Sequence, residues 1–317
     1  MRRVAGCSAA AAMAPYFVIK IFWTLHGLRG GGLHDGAWSR LDWAAINGLT
    51  VGMSGLAILL GLALGQRWGM RVPGWLMLLP AWIGAGFLVP VIPVLPILLV
   101  LSPVGDAGGG GTDPAMPGWE AGLLTVSFAG FGLGVAIAVP IYAGQRWPGA
   151  LTGRPTDDSV GTAFRSVRDV TARFAAAICV VLGLPQIFWG LGGTLGLQPA
   201  TLDARDPQWH VLTVNTGLWA LIGAWGVWSL TRRRADFRGR TAMLLTWTAS
   251  GFLFAWGTWK AAFTFAVVPS FPPPEYLWVL ALQNHVGALA GVMILLVGLL
   301  TVADRRQART ADPERTV

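Results

Sequence analysis

Long apolar runs alternate with short polar stretches along the chain. Crossing a bilayer as a helix takes about 20 apolar residues. Eight runs are long enough: 8–27, 43–65, 74–102, 119–143, 172–192, 210–230, 241–268 and 277–302. Apolar positions are consecutive within each run, without the residue-by-residue alternation of a membrane barrel strand. The pattern predicts an all-α membrane protein with eight transmembrane helices.

The same pattern returns on itself. Ile21-Phe22-Trp23 reappears 166 positions later as Ile187-Phe188-Trp189, with Gly30 falling on Gly196 and Trp43 on Trp209. Met77-Leu78-Leu79 matches Met243-Leu244-Leu245 in that register. Trp82 and Gly86-Phe87-Leu88 match Trp247 and Gly251-Phe252-Leu253 at an offset one shorter, and Gly130 and Gly134-Val135 correspond to Gly287 and Gly291-Val292. Four helices per repeat is an even number, so both halves have one orientation: a parallel repeat about an axis along the membrane normal. The expected organisation is a first four-helix repeat over 1–143, a cytoplasmic linker with an interfacial helix over 144–171, a second four-helix repeat over 172–303 and a cytoplasmic tail over 304–317. Paired glycines at 130/134 and 287/291 are expected to permit close helix contact.

Charge orients the bundle. Of 23 basic residues, 21 are arginine; the other two, Lys20 and Lys260, both fall inside predicted spans. The N-terminal stretch, the alternate loops at 66–73, 144–171 and 231–240, and the tail hold 17 arginines, whereas the opposite loops hold only Arg29, Arg40 and Arg205. By the positive-inside rule both termini are expected in the cytoplasm of a cell-membrane protein. The net charge of +8 is thus a topology signal, and nucleic acid is not an expected partner. In the linker, Asp169 has Arg165 and Arg173 four residues away on either side, which predicts an ion-paired interfacial helix in contact with membrane lipids. A partner membrane subunit is a further candidate.

Composition narrows the class. With 54% hydrophobic and 12% charged residues among 317, the chain is neither disordered nor an ordinary soluble domain. Two cysteines, Cys7 and Cys179, exclude a disulfide scaffold. No apolar region precedes Cys7, so the Met1-Arg2-Arg3 start is expected to lead into a retained span rather than a cleaved signal. The glycine run at 108–111, within 103–118, follows no strand and leads to no lysine-bearing helix start, so 103–118 reads as a flexible outer loop rather than a phosphate cradle.

Ionisable residues within spans are costly and point to function by default. Tyr16, Lys20, Trp23, Thr24 and Gly27 share one face of the first span. Gln186 and Trp189 occupy the positions of Lys20 and Trp23 in the second half, the seventh span brings Trp256, Lys260 and Thr264 together, and the eighth offers Gln283, Asn284 and His285. Asn47 and Asn215 lie near the outer ends of spans two and six. The expected site therefore comprises Lys20, Trp23, Gln186, Trp189, Trp256, Lys260, Asn284 and His285, in a polar cavity of the outer half of the membrane. Pro90, Pro93 and Pro96 are expected to free the carbonyls of Gly86, Val89 and Ile92 in the third span. Four histidines without an HxxxH or His/Cys cluster predict neither a metal site nor a cofactor.

At Pro15-Tyr16-x-x-x-Lys20-x-x-Trp23-x-x-x-Gly27, and at Trp189-Gly190-Leu191-Gly192-Gly193-Thr194, the chain resembles multi-pass membrane proteins of high-GC actinobacteria. Those proteins end their first span in a Lys/His-x-x-Trp-x-x-Gly-Gly-like stretch; here His26 replaces the first glycine. The resemblance covers these two stretches and implies a membrane location with eight helices or a duplicated four-helix form. It brings no activity with it.

Several functions fit these features. A small-solute permease or transport accessory subunit accounts for the parallel repeats, the broken helix and the polar centre. A membrane-embedded enzyme acting on a lipid or isoprenoid would use Lys20, Lys260, Glu120, Glu275 and His285 as acid, base or phosphate-holding groups. A structural scaffold needs no site. Retinal attachment at Lys260 is disfavoured by the eight spans and the lack of an in-membrane acidic counter-ion.

Overall fold

The computed structural model describes residues 1–29, 40–101, 118–147, 162–231, 238–264 and 276–311. Among these the chain is all helical. Ten α-helices follow one another: α1 Arg2–Leu28, α2 Arg40–Gly65, α3 Gly74–Leu88, α4 Leu95–Leu101, α5 Gly118–Arg146, α6 Thr162–Gly190, α7 Pro199–Asp203, α8 Pro207–Thr231, α9 Arg238–Thr264 and α10 Leu277–Ala311. Seven helical segments are long and apolar enough to cross a membrane, one of them α3 together with the turn of 3₁₀ helix that follows it. The 27-residue α9 is not among those seven.

Local chemistry sets the helix ends. Pro73 precedes the first residue of α3, where its missing N–H costs nothing. Past the end of α6, Gly192 turns back at φ +103°, a left-handed conformation that glycine adopts without a Cβ penalty. The third span is interrupted: α3 gives way to a 3₁₀ turn at Val89–Val91 before α4 resumes the climb. The charged Arg165–Arg173 stripe forms the early turns of α6, continuous with the span that follows. There Asp169 pairs with its neighbour Arg168 at 3.1 Å, a partner that the four-residue spacing did not single out.

Packing divides into two sets. In the first, α1 packs on α2 and α5, α3 on α2 and α5, and α2 on α5. In the second, α6 packs on α8 and α10, α9 on α8 and α10, and α8 on α10. Each set has its own apolar core. One surrounds Tyr16, Phe131, Val135 and Tyr142, and the other Cys179, Trp219, Phe252 and Ile294.

The sets meet chiefly where α3 touches α9. Gly86 and Gly251 bring the two backbones together, and a Cβ on either would run into the opposite main chain. Beside the crossing, Trp82 donates to Ser250 Oγ at 2.8 Å and stacks on Phe254, while Trp247 packs against the first core. The expected glycine pairs behave unequally. Gly130 and Gly134 seat α5 on Ala12 and Ala9 of α1, whereas of 287 and 291 only Gly291 is at a close approach, against Ser250 and Phe254 of α9.

Candidate functional site

The end of the first set where α1 finishes and α2 and α5 begin gathers a polar cluster. Lys20 lies eight residues before the last residue of α1, about 12 Å of helix rise inside it. Its ammonium donates to Asn47 Oδ1 at 3.1 Å and sits 5.5 Å from the centroid of the Tyr16 ring. Asn47, only 2% exposed, donates in turn to the Trp43 carbonyl at 2.9 Å, which fixes its oxygen toward Lys20. One turn outward, Trp23 Nε1 donates to Glu120 Oε1 at 2.8 Å. Glu120 belongs to the first turn of α5, where the helix dipole favours a carboxylate, and it is 4% exposed.

The cluster holds its two charges apart. Lys20 and Glu120 are within electrostatic range of each other. Each nevertheless bonds to a neutral group, Asn47 for one and Trp23 for the other. Opposite charges held at span depth without a direct ion pair leave both able to engage a polar or charged solute. Farther along α5, Ser127 has a hydroxyl that is fully buried and without a hydrogen-bond partner. Its position follows Glu120 by seven residues, two turns along the same face of α5.

The equivalent end of the second set is built differently. Trp189, the counterpart of Trp23, donates to the Leu195 carbonyl at 2.8 Å. His210 Nδ1 lies 2.9 Å from the Gly190 carbonyl, and Arg205 donates to the Gly193 carbonyl at 3.0 Å while packing over Trp209. These bonds fasten the 191–206 turn onto the helix ends. Gln186, half-buried on α6, stands where the first set has its lysine.

The other expected residues lie on α9 and α10. Trp256 Nε1 donates to the Phe87 carbonyl at 3.3 Å. Lys260 is exposed, four residues before the last residue of α9, or about 6 Å of rise inside it. Asn284 Nδ2 donates to Thr264 Oγ1 at 3.1 Å, and Thr264 donates to the Lys260 carbonyl at 2.7 Å. His285 is exposed and donates to Ala281 through Nδ1 at 2.7 Å. The eight expected residues thus fall into three places: Lys20 with Trp23, Gln186 with Trp189 at the end of α6, and the rest around α9 and α10.

Two carbonyls at the broken helix, neither of them one that the prolines were expected to free, are captured by the second set. Trp219 Nε1 donates to the Pro90 carbonyl at 3.3 Å, and Trp256 to that of Phe87. The carbonyls of Val89 and Ile92, expected to be free, accept 3₁₀-type bonds from Ile92 and Leu95. The break therefore joins the two sets through indoles and carbonyls.

Sequence reasoning located Lys20 and Trp23 but did not identify Asn47 and Glu120 as their partners. A signal for Glu120 existed, since it is an acid placed directly at the start of an apolar run. Among the described residues no group of three His, Cys, Asp or Glu side chains could hold a metal ion. Compared with family models, curated proteins and solved structures, the chain matches none.

Proposed function

We propose that this is a small-solute permease or transport accessory subunit, with its polar site in the outer half of the membrane and Lys20 at the centre of that site. The observation that carries the proposal is the meeting of Lys20, Asn47, Trp23 and Glu120 from three helices. A lysine and a carboxylate at this depth are expensive to bury, and here they are positioned without neutralising each other directly. Lys260, Asn284 and His285 provide a second polar group, nearer its helix end.

In this reading the chain crosses the membrane eight times as two parallel four-helix repeats, both termini cytoplasmic. α9 serves as the remaining span despite its lower apolarity, because it packs against α3, α8 and α10 and therefore contacts less lipid. Its polar Thr246 and Ser250 are buried in protein and hydrogen-bonded. Support for the repeat comes from packing order: each helix of the first set has the same neighbours as its sequence counterpart in the second. Further support comes from Gly86 and Gly251, matched in sequence, which touch at the crossing. Orientation rests on the distribution of arginines.

Uptake by proteoliposomes tests the function, with labelled phosphate and small carboxylates as probes. Wild-type protein should carry at least one of them, and Lys20→Met should lower that uptake about tenfold, the loss of one charge-assisted hydrogen bond. Equal uptake by wild type and Lys20→Met overturns the role given to Lys20. A scaffold role has one observation in its favour, since Lys20 and Glu120 each already have a partner within the protein. It would be favoured if neither protein exceeded empty liposomes.

A further inference from the structure

The opposite end of the first set carries an arrangement that solute transport leaves unused. There α1 begins, α5 ends and the 66–71 turn joins α2 to α3. Tyr142, fully buried, donates its hydroxyl to the Gly69 carbonyl at 3.0 Å. Arg146 donates to the same carbonyl at 3.2 Å and also bonds the Tyr142 hydroxyl. Two guanidiniums converge on that one ring: Arg2 with its central carbon 6.0 Å from the centroid, and Arg146 at 5.8 Å.

The charges and donors at this place do not balance. Among the described residues no carboxylate pairs with Arg2 or Arg146, and the only bond made by Arg2 is to the Gln66 carbonyl at 3.5 Å. Its other terminal nitrogen, Nη1, is buried without an acceptor. A basic side chain that only marked the cytoplasmic side would direct its donors into water. This one has a buried donor without an acceptor, and an unpaired N–H there is costly. An oxyanion reached by both guanidiniums would offset their positive charge and give the unpaired donor an acceptor. Phosphate suits the planar forks of arginine best, because it accepts bidentate bonds from more than one of them.

We propose that Arg2 and Arg146 form a phosphate-binding site at this end of the bundle, taking either the headgroup of an anionic lipid or free phosphate. The full-length protein, purified in neutral detergent and stripped of lipid, is titrated with phosphatidylglycerol, phosphatidylcholine and inorganic phosphate. Binding is read by native mass spectrometry for the lipids and by thermal shift for phosphate. Arg2→Gln is the primary variant, because Arg146 also holds Gly69 and its loss could unfold the turn. Arg71→Gln, at an exposed position on the same turn, controls for diffuse charge.

A lipid site predicts that phosphatidylglycerol binds more tightly than phosphatidylcholine, that Arg2→Gln weakens it about tenfold, and that Arg71→Gln leaves it unchanged. A free-phosphate site predicts the same Arg2 dependence for inorganic phosphate, with phosphatidylglycerol no better than phosphatidylcholine. Equal losses in Arg2→Gln and Arg71→Gln, or no binding of either phosphate source above phosphatidylcholine, would overturn the proposal. None of these outcomes depends on uptake at Lys20.

Discussion

The ends of α1 and α6 carry the same Ile-Phe-Trp sequence and do different work with it. In α1, Trp23 gives its indole hydrogen to a buried carboxylate, and the residue three before it is a lysine held by Asn47. In α6, Trp189 gives its hydrogen to a backbone carbonyl of its own turn, and the matching position is Gln186. The first end collects side-chain groups with chemistry left to offer. The second uses its donors to close a loop. Under the proposed repeat, one helix frame supports two outcomes, decided by a few polar differences: Lys20 against Gln186, Asn47 against Thr213, and Glu120 on a helix whose counterpart begins with Leu277. The comparison separates what the frame needs from what the site needs, and variants can press on each.

The frame should be the more sensitive of the two. Gly86→Leu places a side chain against the Gly251 backbone and is expected to lower stability by about 3 kcal/mol. Gly251→Leu should match it if the halves are equivalent. Gly52→Leu, at a position with open space around the Cβ, should cost less than about 0.5 kcal/mol. Thermal unfolding followed by size-exclusion chromatography checks all three, and unequal effects at 86 and 251 would break the equivalence.

Next in size is the support for the lysine. Asn47→Leu removes the acceptor of Lys20 and should destabilise by about 2 kcal/mol, the cost of stranding a buried charged donor. Thr213→Val, its counterpart change at a buried residue, strands no charged donor and should cost less, about 1 kcal/mol. Similar losses at both positions in a denaturation series would show that the two ends are energetically alike.

Smaller effects concern function alone. Gln186→Met should alter uptake less than twofold, against the tenfold loss expected for Lys20→Met (about 1.4 kcal/mol). Lys260→Met should have the least effect on stability, under about 0.5 kcal/mol, because the residue is exposed near a helix end. A larger loss of uptake for Lys260→Met than for Lys20→Met would move the centre of the site to α9.

Much of this frame was legible in the sequence because apolar length and glycine spacing are local properties. Within the described residues each predicted run falls on one helix, except the third, which is split between α3 and α4 where Pro90, Pro93 and Pro96 lie. The partners across helices were not legible. Nothing in the string connects Trp23 to Glu120, 97 residues away; that meeting depends on α5 lying antiparallel to α1 through Gly130 and Gly134. The same holds for Trp219 and Trp256, whose indoles secure carbonyls of the other set. The run at 241–268 falls on α9, which is not among the seven helices apolar enough to cross a membrane.

The central claim is that the Lys20 cluster is a wet site reached from outside, and thiol accessibility tests it most directly. With Cys7 and Cys179 replaced by serine, Lys20→Cys and Val18→Cys are each treated in intact cells with a membrane-impermeant methanethiosulfonate. Val18 lies on the same helix at nearly the same depth, 62% exposed on the outer surface of the bundle. A thiol facing lipid stays protonated and unreactive, whereas one in a hydrated polar pocket forms thiolate. The account predicts labelling at position 20 at least about tenfold faster than at 18. Equal silence at both positions would mean a dry cluster, and would contradict it.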